Sequence, residues 1–185
     1  MSKKSTILPT FKYHPDPVAT GSFEATEITC ISCGQTRPYC YVGSVYAEAD
    51  LEGKVCPWCI SSGLAHDKFG AEFTDIDAIG DYDPAISLPI EVMEEVANRT
   101  PGFNGWQQER WLTHCGDACA FLGPAGKIEL KASGEQELLD SIRADARMSE
   151  LEFRAYFEKL DKQIAPTAYV FRCLHCGLYS GYSDF

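Results

Sequence analysis

Four close pairs of cysteines are the residues of this chain whose type and spacing could do chemistry. The pairs are Cys30/Cys33, Cys56/Cys59, Cys115/Cys119 and Cys173/Cys176, three of them spaced C-x-x-C and one C-x-x-x-C. A short pair presents two thiolates from one tight turn, and zinc prefers four soft ligands in a tetrahedral arrangement. The pairs therefore predict two four-cysteine zinc sites, that is, two Zn²⁺ ions per chain.

The cysteine count also bears on the cellular compartment. The chain has 9 cysteines, so Cys40 is left over after pairing and is expected to be a buried small hydrophobic residue. Lys3 and Lys4 are followed by a stretch too short and too polar for a secretory signal. Thiols stay reduced in the cytoplasm, which favours metal binding over a disulfide framework. We therefore expect a cytoplasmic protein.

The spacing leaves the pairing of the four thiol pairs open. Sequential assignment joins 30/33 with 56/59 and 115/119 with 173/176, and a cross-braced assignment is the alternative. Either way, four thiolates per metal leave no free coordination position, which is typical of structural sites and not of sites that activate water.

Two other interpretations of these residues remain open. The segment Cys56-Pro-Trp-Cys59 has the spacing of a redox-active dithiol, although such motifs normally lie on a βαβ frame that the sequence does not predict. His114 adjoins one cysteine pair and His175 lies inside another. Either histidine could replace a thiol ligand or donate a hydrogen bond to one.

The elements around the first two pairs predict a treble-clef-like arrangement. Residues 1–28 read as an extended arm, and Gly34 allows the chain to turn beneath a metal bound at the first pair. A strand-like stretch over 37–47 follows, and the second pair opens a short helix that Gly70 ends. A metal-binding turn (a zinc knuckle) at the first pair, followed by a hairpin and then a helix, resembles a treble-clef zinc finger.

The second half of the chain predicts helices followed by strands. A helix of about 10 residues begins near Pro89 and stops before Pro101. Two helices are expected after Ser133 and after Ser149, each opened by a capping box, and strands are expected over 168–172 and 178–185. The predicted class is α+β, with an N-terminal zinc subdomain over 1–85 and a C-terminal helical and zinc-knuckle subdomain over 86–185, or one compact domain.

The charge of the chain restricts its partners. The formal net charge is −11, and residues 69–98 contain eight acids and no Lys or Arg. Such a chain repels phosphate backbones and anionic membranes, so a basic protein is the expected partner. The residues predicted to bind it are Asp75, Asp77, Asp81 and Asp83, together with Trp106 and Trp111 of the aromatic segment. A solvated acidic loop is the alternative.

Several longer motifs of the chain combine cysteine, aromatic, proline and glycine residues at fixed spacings. They are Phe11-x-Tyr-His-Pro-Asp-Pro17, Cys30-x-x-Cys33-Gly34, Cys56-Pro-Trp-Cys59-Ile60, Arg99-Thr-Pro-Gly-Phe103, Trp106-Gln-Gln-Glu-x-Trp111, Cys115-Gly-Asp-Ala-Cys119-x-Phe121 and the run from Phe171 to Asp184. In these motifs the chain resembles the CbrC family of bacterial proteins, which is associated with colicin tolerance. The similarity covers nearly the whole chain. By analogy, the resemblance implies an immunity-like role against a toxin nuclease.

These observations favour a non-enzymatic, acidic, zinc-stabilised protein that binds a basic partner, a toxin domain being one such partner. A zinc-dependent regulator that contacts nucleic acid through a local basic patch is a second hypothesis. A third is an enzyme with a pocket around the segment from Trp106 to Asp117. It would use the aromatic stretch Trp106–Trp111 together with Arg99, Glu109, His114 and Asp117. The same segment could equally be a core layer with paired charges.

Overall fold

The computed structural model describes residues 7–80 and 88–185 and shows a small protein that mixes helices with antiparallel strands, as predicted. The helices are α1 (Pro57–Ser61), α2 (Leu64–Phe69), α3 (Ile90–Arg99), α4 (Lys127–Ser133), α5 (Gln136–Asp145) and α6 (Glu150–Phe157), with a 3-10 turn at Ile76–Ala78. The strands are β1 (Phe23–Glu24), β2 (Ile28–Thr29), β3 (Thr36–Arg37), β4 (Cys40–Tyr41), β5 (Thr113–His114), β6 (Asp117–Ala118), β7 (Ala120–Ala125), β8 (Thr167–Arg172) and β9 (Tyr179–Asp184). Across the described ranges, none of the helices has the length and apolar character needed to cross a membrane.

The largest sheet has three antiparallel strands in the order β7-β8-β9. Its centre, β8, is rich in aromatic and β-branched residues, which suit a pleated surface buried on both sides. Arg172 at the end of β8 pairs with Tyr179 at the start of β9, so only a short loop joins the two strands. That loop contains Cys173 and Cys176, and the sheet thus fixes the place of the last cysteine pair.

An aromatic core holds this sheet against α3 and the segment that leads into β5. Phe103 stacks on Phe121 with ring centroids 3.9 Å apart, and Phe171 and Tyr182 continue the cluster from the sheet. Trp111 lies at its centre with 0% of its surface exposed, and its indole N–H donates to the carbonyl of Cys119 at 2.9 Å. Burial of large aromatic side chains of this kind dominates the stability of small cores.

Two smaller apolar clusters complete the interior. One surrounds the first two cysteine pairs and contains Phe11, Tyr41 and Phe73. The other lies between α4–α6 and the sheet, where Leu138 and Ile142 of α5 are buried as their helical spacing predicts.

One of the two predicted capping boxes is confirmed and the other is wrong. The backbone N–H of Glu152 donates to the Ser149 hydroxyl, and the Glu152 carboxylate accepts from the Ser149 N–H, so α6 begins as predicted. Ser133 instead ends the additional helix α4, and its hydroxyl donates back to the carbonyl of Leu130. Gly134 adopts a φ of +67° and stops α4 there, so α5 can begin only at Gln136.

The N-terminal arm belongs to both halves of the molecule. Phe11 packs in the cluster around the first cysteine pairs, whereas Tyr13 packs in the aromatic core together with residues beyond 88. The backbone N–H of Phe121 also donates to the carbonyl of Tyr13 at 2.7 Å. The predicted boundary between residues 85 and 86 lies outside the described residues, so the division into two subdomains stays a prediction.

His14 of the arm is fully buried and is held as a neutral ring. Its Nδ1 lies 2.7 Å from the carbonyl of Pro101, so Nδ1 donates, and its Nε2 then accepts from the Thr20 hydroxyl at 2.6 Å. Burial lowers the pKa of His14 from 6.5 to about 4, because the charged ring would lose its hydration.

The lowered pKa of His14 predicts a loss of stability in acid. Between pH 6.5 and pH 4 the unfolded chain binds a proton at this ring and the folded chain does not. The free energy of unfolding should therefore decrease as the pH falls through this window, by about 3 kcal/mol for this group. Denaturant unfolding of the wild type and of His14→Asn at several pH values measures the difference. The variant should show a weaker pH dependence, and parallel curves would contradict the assignment.

Candidate metal centres

The first group brings together the four thiols that the sequence assigned to one site. The Sγ atoms of Cys30, Cys33, Cys56 and Cys59 all lie within 4.8 Å of one another. Cys30 and Cys33 lie in the loop between β2 and β3, where Gly34 turns the chain with a φ of +67°. Cys56 is the N-cap of α1 and Pro57 occupies its first turn. A hairpin loop and a helix start thus supply two ligands each.

The first group is closed to solvent on most sides. Cys30 and Cys56 are 0% exposed and Cys59 is 2% exposed. The backbone N–H of Cys56 donates to the Cys30 sulfur at 3.4 Å, a contact that stabilises a thiolate. Hydrogen bonds with the Cys56 and Cys59 side chains lower the pKa of Cys30, whereas the hydrogen bond with Cys30 raises the pKa of Cys59. Four thiols this close cannot all ionise without a cation among them.

The donor set fits a tetrahedral metal ion. Zinc–sulfur bonds of about 2.3 Å place tetrahedral sulfurs about 3.8 Å apart. The sulfurs of Cys30 and Cys59 are 3.6 Å apart, close to that value. The first group could therefore hold a metal ion without rearrangement of its backbone.

The second group contains three of the predicted thiols and a histidine. His114, Cys115, Cys173 and Cys176 place one ligand atom each within 4.8 Å of the others. The Nδ1 of His114 is 3.2 Å from the Cys115 sulfur and 3.3 Å from the Cys176 sulfur. Cys173 and Cys176 come from the loop between β8 and β9, and His114 and Cys115 come from the hairpin of β5 and β6.

The prediction that Cys119 is a ligand is corrected by the hairpin geometry. Cys115 and Gly116 have φ of +54° and +72°, so they form the two-residue turn of the hairpin, and His114 pairs with Asp117 across it. Cys119 lies beyond that turn, is 0% exposed and packs in the aromatic core. Burial raises the pKa of Cys119 to about 12, as expected for a thiol in apolar surroundings.

The second group is more exposed than the first. Cys115, Cys176 and His114 are exposed, and only Cys173 is buried. A hydrogen bond with Cys176 raises the pKa of Cys115 to about 11. Burial opposes ionisation of Cys173, but the backbone N–H groups of Cys176 and His175 outweigh it and lower the pKa of Cys173 to about 6. This contrast divides the two groups into an internal site and a surface site.

Asp117 connects the second group to the N-terminal arm. Its carboxylate is 6% exposed and accepts hydrogen bonds from the Tyr13 hydroxyl at 2.7 Å and the Lys12 ammonium at 2.9 Å. The Nε2 of His175 is 2.9 Å from the same carboxylate. Burial would raise the pKa of Asp117, but these hydrogen bonds outweigh it and lower the pKa to about 2. His175 thus links its loop to Asp117 and is not among the four residues whose ligand atoms converge in the second group.

The other predicted site residues lie in different surroundings. Asp77 is exposed, whereas Asp75 caps the 3-10 turn and accepts from the Gln108 side chain at 2.6 Å. Asp81 and Asp83 lie outside the described residues. Trp106 is 52% exposed, with its indole N–H donated to Thr167. Trp111 is corrected: it is completely buried, so its side chain has no surface to offer a partner.

Cys40 is free and buried outside both groups, as expected. Its thiol lies 3.2 Å from the carbonyl of Tyr41, and burial raises its pKa. The Cys56/Cys59 pair belongs to a four-thiol group, and the described strands pair antiparallel, without the parallel βαβ frame of a dithiol redox site.

Fold and site together define a small mixed α/β protein with two cysteine-rich groups that could each hold a metal ion. Comparison with known proteins gives the family. A model described as "Uncharacterised protein family (UPF0167)" matches residues 8–185, and the chain belongs to this family.

Curated relatives agree with this family assignment. The chain is 48% identical over 182 residues to a UPF0167 protein of Mycobacterium bovis and, at the same identity, to one of Mycobacterium tuberculosis, covering 96% of this chain and 94% of each relative. It is 42% identical over 173 residues to a UPF0167 protein of Pseudomonas aeruginosa, covering 92% of this chain and 93% of that protein. No solved structure shows a significant match.

The family assignment corrects the resemblance drawn from the sequence motifs. Both the matching family model and the curated relatives have the label UPF0167, so the suggested CbrC family is not supported. The expectation of colicin tolerance and of an immunity-like role depended on that resemblance alone, and it is withdrawn with it.

Proposed function

We propose that both groups bind zinc and that the two ions have a structural role. The observation that carries this proposal is the convergence of four ligand atoms within 4.8 Å in each group, from segments far apart in the sequence. Zinc accepts both a four-thiolate set and a three-thiolate, one-histidine set, and bound zinc supplies folding energy directly. Four protein ligands leave no position for substrate, which favours a scaffold over a catalytic centre.

The first site is proposed to be treble-clef-like. Its ligands come from a hairpin loop and from the first turn of a helix, which is the arrangement that the sequence order of knuckle, hairpin and helix favours. In both sites, ligands from two segments that are far apart in the sequence would bind one zinc ion, and the ion would hold these segments together. Reduced thiols are required for this, which supports a cytoplasmic location.

We further propose that the protein binds a basic protein partner and is not an enzyme. The net charge of −11 supports this, because it strengthens attraction to cationic surfaces and opposes contact with nucleic acid. Asp77 and Trp106 are exposed, and together they could offer a partner both a carboxylate and a large aromatic side chain.

The acidic stretch should set the rate at which the partner binds. Capture of host proteins on the immobilised chain, followed by mass spectrometry, identifies the partner, which should be basic. The test variant replaces by Asn the residues Asp75, Asp77, Asp81 and Asp83. Its association rate should fall several-fold at low salt and depend less on ionic strength, because long-range attraction governs encounter. Stopped-flow or biosensor measurements at several salt concentrations record the effect.

A matched control variant removes the same number of negative charges from a different part of the molecule. The control variant replaces by the corresponding amide the residues Glu135, Glu137, Asp140 and Glu150, all in or next to α5 and α6. Equal effects of the two variants would mean that only net charge matters. Identical behaviour of the acidic-stretch variant and the wild type would contradict the proposed role of this stretch, as would an acidic partner.

A further inference from the structure

A polar cavity lies between the segment after β4 and the loop that precedes β5. Its volume is about 340 Å³, enough for a ligand fragment of a few heavy atoms. Its lining includes Ser44, Tyr46 and Glu52 from the segment after β4, and Asn104, Gln108 and Glu109 from the segment before β5. Neither metal group contributes to this cavity, so its chemistry is independent of the proposed zinc sites.

Glu109 is the unusual group in this cavity. It is 5% exposed, and carboxylates this deeply buried are normally paired with a cation. Its Oε1 accepts a hydrogen bond from the Tyr46 hydroxyl at 3.0 Å, which is a neutral partner. Among the residues that the structure describes, no ion pair involves Glu109. Burial raises the pKa of Glu109, and the negative charge of Asp75 raises it further.

Two further groups of the cavity offer acceptors to a hydrogen-bond donor, whereas the Asn104 side-chain oxygen already accepts from the Ser44 N–H. Gln108 uses its amide N–H₂ to bind Asp75 at 2.6 Å, so its carbonyl oxygen is left as an acceptor. Glu52 is exposed and adds a second carboxylate at the edge. The described lining includes no Lys, Arg or His. A ligand that carried positive charge would therefore supply the partner that the buried Glu109 carboxylate lacks.

We propose that this cavity binds a primary alkylammonium group, with Glu109 as its counter-ion and Glu52 as a weaker contact at the edge. A lysine side chain of a basic protein and a free alkylamine carry the same group, and the cavity would accept either. If the ammonium group belongs to a lysine of the protein partner, the inference rests on the proposed function, and the cavity is one of the contacts that bind that partner.

The test uses n-butylammonium as the probe and n-butanol as its neutral counterpart. Two-dimensional ¹H–¹⁵N NMR of the zinc-loaded full chain should show shifts of the Gly105 and Gln108 amides with a Kd on the order of 1 to 10 mM. n-Butanol should not shift them. Glu109→Gln keeps an oxygen for the Tyr46 hydroxyl but removes the charge, and it should weaken binding at least 10-fold.

Two further variants separate this site from general electrostatics. Glu52→Gln should weaken n-butylammonium binding two- to threefold and gives an independent test if Glu109→Gln does not fold. Glu137→Gln, an exposed residue of α5 outside the cavity, should leave the Kd unchanged. Equal binding of n-butanol, or unaltered binding to Glu109→Gln, would overturn the proposal, as would the absence of shifts at 50 mM probe.

The source of the ammonium group is tested separately. Acetyl-lysine-amide and a short peptide with one lysine should bind at the same amides if a protein side chain fits, and only n-butylammonium should bind if the cavity is restricted to free amines. Failure of the basic-partner proposal would leave n-butylammonium binding intact. Failure of the cavity proposal would leave the salt dependence of partner association intact.

Discussion

The variant Cys56→Ser is expected to contain one zinc ion per chain instead of two and to lose the structure of its N-terminal half. Cys56 is 0% exposed, caps α1 and is one of four thiols that the surrounding apolar cluster encloses. Structural zinc contributes on the order of 10 kcal/mol to folding, more than the whole stability of many small domains. Metal analysis by mass spectrometry and hydrogen exchange of residues 23–73 would record the two losses.

Cys40→Ser is the matched control for this prediction. Cys40 is also buried, but it belongs to neither group and its thiol donates to the carbonyl of Tyr41, a contact that a hydroxyl can replace. The control should keep two zinc ions and lose about 1 kcal/mol of stability. If Cys40→Ser lost zinc as Cys56→Ser does, the ligand assignment would be wrong. Two zinc ions in a folded Cys56→Ser would contradict it equally.

The second large effect is expected from His114→Ala, which should strongly weaken zinc binding at the second group while the first group keeps its affinity. The Nδ1 of His114 lies within 3.3 Å of the Cys176 sulfur and occupies the position that the sequence had given to Cys119. Three thiolates without the fourth ligand should bind zinc at least 100-fold more weakly, with water completing the coordination. Competition with a chromophoric zinc chelator measures both affinities.

Cys119→Ala separates the two candidate ligands. Cys119 packs in the aromatic core, so its loss should cost about 1 kcal/mol through a small cavity and leave both zinc affinities unchanged. The reverse result, with zinc lost from Cys119→Ala and retained by His114→Ala, would restore the original assignment of the sequence.

Local patterns predicted the parts of this molecule that local geometry determines. The thiols of the first group converge as the sequential pairing predicts, and each pair, Cys30/Cys33 and Cys56/Cys59, lies in one turn whose conformation its own residues specify. The start of α6 followed from Ser149 and Glu152 for the same reason. The strands on either side of the last cysteine pair were equally recognisable, since their residues favour extended backbone.

The errors among the predicted site residues concern positions that depend on strand register or on distant contacts. His114 takes the fourth position of the second group in place of Cys119 because the two-residue turn of the hairpin falls at Cys115 and Gly116. The signal for this turn in the sequence was the Cys-Gly pair followed by an aspartate. Trp111 is buried because Phe103, Phe121 and Phe171 surround it, and these residues are separated along the chain. Neither composition nor spacing reports which aromatic side chains meet.

The contacts of the N-terminal arm also determine the sequence in which parts of the chain can fold during synthesis on the ribosome. The first group is complete once residue 59 has emerged, and it can close early. Tyr13 cannot reach its final surroundings until Asp117 and β9 are available, and Asp117 in turn contacts His175. Although domains generally fold from the N-terminus onward, Tyr13 can take its final place only after a partner 104 residues further along the chain has been made. Until the segments that carry Pro101, Asp117 and Phe121 have been made, Tyr13 and His14 lack the contacts that bury them and remain accessible to chaperones.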